Sequence, residues 1–124
     1  QNTDKNFTVL HALDGYDEIS LTGDTKTISN GSEGIIKPAD FGLSAIKAHE
    51  IAGGDDIPNS AQIFLNVLNG KGTEAQNNVV CANAGVAIST VENTTPKEGF
   101  DKAKESLLSG KGLVALKKLQ ELSL

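Results

Sequence analysis

The chain has 124 residues, the size of one domain, and a net charge of −5. Aromatic residues make up only 4%, so the core must be largely aliphatic. All eleven basic residues are lysines, and this absence of arginine in an acidic chain argues against a nucleic-acid partner. No apolar stretch approaches the roughly 20 residues of a membrane span, and no signal peptide is visible. The single cysteine, Cys81, excludes an internal disulfide and suits the reducing cytoplasm.

The front part of the chain carries short β-type patterns. Residues 1–6 are polar and are expected to be irregular. Strands are predicted at residues 7–12, 18–22, 25–29 and 34–37. In the second of these, alternation places Ile19 and Leu21 on the inner face. Asn30-Gly31 predicts a hairpin turn between the last two.

The back part carries helical patterns. Pro38 to Gly42 predicts a single helical turn, and residues 45–52 are ambiguous. Helices are predicted up to about Asn69 with Asn59 or Ser60 as the cap, then over 74–91 after Thr73, over 96–109 after Thr95, and over 112–122. The predicted inner faces are Ala61, Phe64, Leu65 and Leu68, then Phe100, Ala103, Leu107 and Leu108, then Leu113, Leu116, Leu119 and Leu122. Helix 74–91 is apolar nearly all round and is expected to be central.

The fold class that follows is mixed α/β. A β-rich N-terminal half precedes a C-terminal half of packed helices, without an internal repeat or a low-complexity linker.

The stretch LDGYDEISLTG, residues 13–23, places three carboxylates around one glycine: Asp14, Asp17 and Glu18 around Gly15. One interpretation is a polar turn, since Asp and Gly favour turns. The other is a cation site, because Mg²⁺ is typically held by one or two carboxylates together with waters and phosphates. In irregular backbone, adjacent carboxylates can converge on one ion, and Asp14 can instead hydrogen-bond the turn. The pattern alone leaves both interpretations open.

Other polar groups give weaker signals. Gly53-Gly54-Asp55-Asp56 predicts a tight connection before a helix, since no lysine follows at phosphate-loop spacing. His11 and His49 have no partner at metal-ligand spacing and are expected to be packed or surface residues. Cys81 is expected to be inert packing. The two Gly-Lys-Gly triplets predict helix ends.

The beginning of the chain suggests a piece of a longer protein. The sequence contains no methionine and starts Gln-Asn-Thr-Asp, whereas a complete translation product normally starts with Met. We therefore expect a fragment.

The run VLHALDGYDEISLTGDTK resembles the anthranilate phosphoribosyltransferase family. The likeness continues, in order, through PADFGL (38–43), AGGDDIPNSAQI (52–63), NNVVCANAGVAI (77–88) and SGKGLVALKKLQELS (109–123). Ala12, Tyr16 and Asp24 depart from the residues usual in the family, but the Asp-Glu pair is intact.

The resemblance implies a fold and a function. Residues 1–124 would be the C-terminal portion of a nucleoside phosphorylase/phosphoribosyltransferase-type α/β domain, without the N-terminal helical domain and the diphosphate loop. Asp17 and Glu18 would ligate Mg²⁺ while phosphoribosyl passes from phosphoribosyl diphosphate to anthranilate in tryptophan biosynthesis. The parent would be a homodimer, and the isolated chain would be inactive. The alternatives are a pyrimidine nucleoside phosphorylase-like enzyme and a non-enzymatic nucleic-acid-binding paralogue.

Overall fold

A computed structural model describes residues 4–123; residues 1–3, part of the polar start expected to be irregular, lie outside this range. The first half contains a three-stranded antiparallel sheet in the order β1-β2-β3. Its strands are β1 (Thr8–Ala12), β2 (Thr25–Ser29) and β3 (Ser32–Ile36). Asn30 and Gly31 form the predicted hairpin turn, with Ser29 paired to Ser32. The strand predicted at 34–37 therefore begins and ends slightly earlier.

The prediction of a strand at residues 18–22 is wrong. This segment is irregular, and Ile19, Ser20 and Leu21 are all at most 2% exposed. A strand with one solvated face cannot bury three consecutive side chains, because neighbours point to opposite faces. Leu21 also has a φ of 59°, which is left-handed rather than extended. The inward positions of Ile19 and Leu21 are nevertheless confirmed.

The second half is helical. Its helices are α1 (Ile57–Leu68), α2 (Glu74–Glu92), α3 (Pro96–Leu108) and α4 (Lys111–Leu122), and 3₁₀ turns occupy Pro38–Phe41 and Ala48–Ile51. The hydroxyls of Thr73 and Thr95 cap α2 and α3, as the sequence predicts, and in the structure both caps are capping boxes. No helix among residues 4–123 is long and apolar enough to cross a membrane.

Helix α1 begins earlier than predicted. Asp56 is its N-cap, and one carboxylate oxygen accepts a hydrogen bond of 2.7 Å from the backbone N–H of Asn59. Asn59 and Ser60, the predicted caps, lie within the helix. The loop before this helix packs closely against its first turn, since a β-carbon at Gly54 would lie 2.5 Å from the backbone nitrogen of Ser60. The predicted tight connection at 53–56 is therefore confirmed.

The core lies where α2 and α3 meet the irregular segment around Leu21 and the 3₁₀ turn at Phe41. Its buried members are Ile19, Leu21, Phe41, Val67, Cys81, Ala82, Val86, Phe100, Ala103 and Leu107. The Phe41 and Phe100 rings are 5.8 Å apart and tilted, an arrangement favoured by aromatic quadrupoles. Helix α2 is central, as its composition predicts.

Several predicted inner-face residues are exposed. Phe64 and Leu65 on α1, Leu108 on α3, and Leu119 and Leu122 on α4 all remain accessible. In α1 the buried side chain is Val67, which sequence periodicity did not select. Helical spacing identifies an apolar stripe, but burial also needs a partner, and the described residues do not cover these stripes.

Candidate metal centre

Asp14 fixes the conformation of the acidic loop, which we define as residues 13–24. Its carboxylate accepts hydrogen bonds from the hydroxyls of Ser20, at 3.4 Å, and Thr22. The Ser20 hydroxyl oxygen in turn accepts from the backbone N–H of Thr22 at 3.2 Å. Asp14 therefore stabilises the loop through hydrogen bonds to other residues of the loop, as one interpretation of the sequence expected. The hydroxyls of Ser20 and Thr22 were not identified from the sequence.

The loop starts in a tight turn. The backbone N–H of Gly15 donates to the carbonyl of Ala12, and the N–H of Ala12 donates to the carbonyl of Tyr16, both at 3.1 Å. Gly15 has a φ of 100°, a conformation that glycine adopts without steric cost. A 2.9 Å hydrogen bond from the N–H of Leu13 to the carbonyl of Asp24 closes the base of the loop. Gly15 therefore shapes the turn, and Asp17 and Glu18, the acidic pair, follow it by two and three residues.

Asn83, on the central helix α2, holds the far side of the loop. Its Oδ1 accepts from the backbone N–H of Ile19 at 2.9 Å, and its Nδ2 donates to the carbonyl of Ile19 at 2.8 Å. Nearby, the N–H of Ile46 donates to the carbonyl of Leu21 at 3.0 Å. Sequence reasoning missed Asn83, although an amide in a helix of small apolar residues is a signal in itself.

Asp17 and Glu18 project from this fixed loop as exposed side chains. Within residues 4–123, neither carboxylate accepts a hydrogen bond or forms an ion pair, so their oxygens are free. Two free carboxylates on one loop are hard oxygen donors, the type that Mg²⁺ prefers. The described residues contain no cluster of three or more His, Cys, Asp or Glu that could hold a metal ion. The donor set therefore fits an ion whose remaining ligands are waters and phosphate oxygens.

A groove of about 400 Å³ runs beside the acidic pair. Its lining residues are Tyr16, Glu18, Ile19, Ser20, Ile51, Val79, Val80 and Asn83. Glu18 is the carboxylate in this set, and the walls formed by Ile51, Val79 and Val80 are apolar. The groove therefore places one exposed carboxylate beside an apolar wall.

The other candidate residues have structural roles or lie at the surface. His11 on β1 and His49 in a 3₁₀ turn are exposed, in agreement with the expectation of packed or surface residues. Cys81 is buried in the core, and burial raises the pKa of its thiol, with a smaller opposing effect of Lys104. A buried thiol with a raised pKa is a poor nucleophile, which supports the expectation of inert packing.

The architecture of this chain matches a known class of solved structures. The anthranilate phosphoribosyltransferase from Thermus thermophilus superposes with a TM-score of 0.82 at 24% identity, over 91% of this chain and 34% of that one. The enzyme from Saccharomyces cerevisiae in complex with PRPP and Mg gives a TM-score of 0.79 at 24% identity, over 90% of this chain and 33% of that one. The fold is therefore that of a phosphoribosyltransferase α/β domain.

The family follows from the sequence itself. Residues 3–113 match the family described as "Glycosyl transferase family, a/b domain", and the chain belongs to this family. Its relatives include the anthranilate phosphoribosyltransferase of Flavobacterium psychrophilum, 66% identical over 124 residues, which are 100% of this chain and 38% of the relative. That of Christiangramia forsetii is 65% identical over 99% of this chain and 37% of its own length. The resemblance seen in the sequence is confirmed, and the chain spans just over a third of these relatives.

Proposed function

We propose that the full-length protein containing this chain is an anthranilate phosphoribosyltransferase. It would transfer phosphoribosyl from phosphoribosyl diphosphate to anthranilate in tryptophan biosynthesis. The observation that carries this proposal is the 66% identity to a relative of that name across all 124 residues. The names of the relatives favour this activity over the nucleoside phosphorylase and nucleic-acid-binding alternatives. A buried, unpaired Cys81 fits the cytoplasmic location expected of such an enzyme.

In this proposal Asp17 and Glu18 hold Mg²⁺. This role is supported by two observations: neither carboxylate has a protein partner among residues 4–123, and the loop that carries them is held by hydrogen bonds of Asp14 and Asn83. When bound, the ion would neutralise charge on the departing diphosphate. The chain's own contribution is to present two carboxylates without competing protein cations, since the acidic loop contains no lysine.

We further propose that this chain supplies only part of the active site, as the C-terminal portion of the α/β domain. It has no arginine for bidentate phosphate contacts and no glycine-rich phosphate loop followed by lysine. The remaining diphosphate and anthranilate contacts, and the homodimer interface, would belong to the rest of the protein. Accordingly, the purified 124-residue chain is expected to show no turnover, and measurable transfer by it would contradict this division.

The metal role is tested in the full-length protein by the double variant Asp17→Asn, Glu18→Gln. Removing both anionic ligands should lower kcat/KM by about 100-fold and raise the Mg²⁺ concentration for half-maximal rate. Asp55→Asn, in the exposed loop before α1, is the matched control and should leave both values unchanged. If the wild-type protein is active and the double variant has wild-type Mg²⁺ dependence, the metal role is wrong. If the wild-type protein does not act on anthranilate, the proposed activity is wrong.

A further inference from the structure

Asn83 makes two hydrogen bonds to the same residue of the acidic loop. Its side-chain oxygen accepts from the N–H of Ile19, and its nitrogen donates to the carbonyl of Ile19. The same nitrogen also donates to the carbonyl of Val79 at 2.9 Å, one turn earlier on α2. Both amide hydrogens are therefore used. The reversed orientation of the amide is excluded, because it would set the oxygen against two carbonyls and the NH₂ group against an N–H.

The position of this contact matters for the carboxylates. Ile19 directly follows Glu18, so fixing the N–H of Ile19 fixes the peptide plane that joins it to Glu18. The side chain of Ile19 is 2% exposed, which anchors the same residue in the core. Asp17 and Glu18 themselves have no protein partner within residues 4–123 that could hold them. Their backbone position is therefore set from one side by the turn at Gly15 and from the other by Asn83.

We propose that Asn83 is a positioning residue for the metal-binding carboxylates, acting through the backbone of Ile19. This inference rests on the proposed function. Without the amide, the loop would keep its turn and the bonds of Asp14, but the segment that carries Glu18 would lose its tether to α2. Residues that orient metal ligands commonly change metal affinity by 10- to 100-fold when they are replaced.

The test compares two variants of the full-length protein. Asn83→Ala removes all three hydrogen bonds of the side chain at a helical position, where alanine has a high propensity. Thr90→Val is the matched control on the same helix. Its hydroxyl donates to the carbonyl of Val86 and lies 2.7 Å from the hydroxyl of Thr8 on β1, so the variant loses a tether to the sheet instead.

Two readouts are measured for both variants. Asn83→Ala should raise the Mg²⁺ concentration for half-maximal rate by about 10-fold, while kcat at saturating Mg²⁺ stays within about twofold of wild type. Hydrogen exchange, followed by mass spectrometry on the peptide covering residues 13–23, should be about fivefold faster than in wild type, without any ligand present. Thr90→Val should change neither value, although it lowers the thermal midpoint. If Asn83→Ala does not fold, Asn83→Ser is measured in its place.

The outcomes separate this inference from the proposed function. If the double variant at Asp17 and Glu18 raises the Mg²⁺ requirement and the Asn83 variant does not, the positioning role is overturned and the metal role stands. If Thr90→Val raises the Mg²⁺ requirement as much as Asn83→Ala, the effect is one of general stability and the positioning role is also overturned. If neither Asn83→Ala nor the double variant changes the requirement, both proposals fail.

Discussion

Gly85 of α2 and Gly99 of α3 are in direct backbone contact. A β-carbon built on Gly99 would lie 2.0 Å from the carbonyl oxygen of Gly85, and one built on Gly85 would lie 2.5 Å from the backbone nitrogen of Phe100. No flexible side chain is available to move aside at either position. The separation of the two central helices is therefore set by the absence of two side chains.

We expect Gly99→Ala to destabilise the fold by about 3 kcal/mol or more, because the helices must separate and loosen the core around Phe100. Gly112→Ala on α4 is the control, since a β-carbon there would make ordinary contact with Leu68 at 3.4 Å. It should be neutral or slightly stabilising through helix propensity. The measurement is the midpoint of thermal or denaturant unfolding, and equal midpoints for the two variants would contradict the packing argument.

Asp14 and Asp17 should respond differently to substitution although they share one loop. Asp14→Ala removes the acceptor of the Ser20 and Thr22 hydroxyls and should lower the free energy of unfolding by about 1–2 kcal/mol. Asp17→Ala removes an exposed carboxylate and should change it by less than about 0.5 kcal/mol. Denaturant titration of both variants measures the difference. A larger loss for Asp17→Ala would contradict the assignment of Asp14 as the structural carboxylate.

Glu98 should contribute to the stability of the folded chain in a pH-dependent way. The backbone N–H and the hydroxyl of Thr95 each donate to its carboxylate at 2.8 Å, which holds the pKa of Glu98 below its ordinary value. A lowered pKa means that the folded state favours the charged form. The contribution is therefore complete above the ordinary Glu pKa of about 4.3 and is lost as pH falls through the lower folded value.

Glu98→Gln keeps a capping-box side chain but removes the charge. Its thermal midpoint should be below that of wild type near pH 7, and the difference should disappear in acid, well below about pH 4. Glu121→Gln, at an exposed position on α4 outside any capping box, is the control and should have the thermal midpoint of wild type near pH 7. A difference for Glu98→Gln that stays constant from neutral to acidic pH would refute the charge-based explanation.

Cys81 should be unreactive in the native protein. It is 2% exposed, and burial raises the pKa of its thiol. We expect alkylation by iodoacetamide to be on the order of 100-fold slower than in denaturant, because reaction requires local opening. Peptide-resolved mass spectrometry measures the labelling of this residue alone. Complete labelling under native conditions, at the rate seen in denaturant, would show that α2 is not packed as described.

The sequence predicted features that depend on a few neighbouring residues. The helix caps at Thr73 and Thr95 and the turn at Asn30-Gly31 follow from local backbone chemistry, and the structure contains all three. The acidic loop was also identified, because its residue types are unusual in themselves. In each case the necessary atoms lie within about four residues of one another.

Predictions that depend on distant partners were less successful. The alternation of residues 18–22 resembles a strand, but the segment is held by an amide 64 positions away, which no local pattern contains. The predicted burial of Phe64 and Leu119 is wrong for the same reason, because an apolar stripe is buried only where another element covers it. The metal role of Asp17 and Glu18 stays a prediction.

The long separation between Ile19 and Asn83 also has a consequence for the order of folding. Helices α2 and α3 are joined directly through residues 93–95, so their contact at Gly85 and Gly99 closes a short loop and should form early. The hydrogen bonds from Asn83 close a segment of 64 residues and should form later, once α2 exists. In pulse-labelling experiments the amide of Phe100 should gain protection before that of Ile19, and the reverse order would refute this. The acidic loop would then be among the last parts of the chain to reach its final conformation.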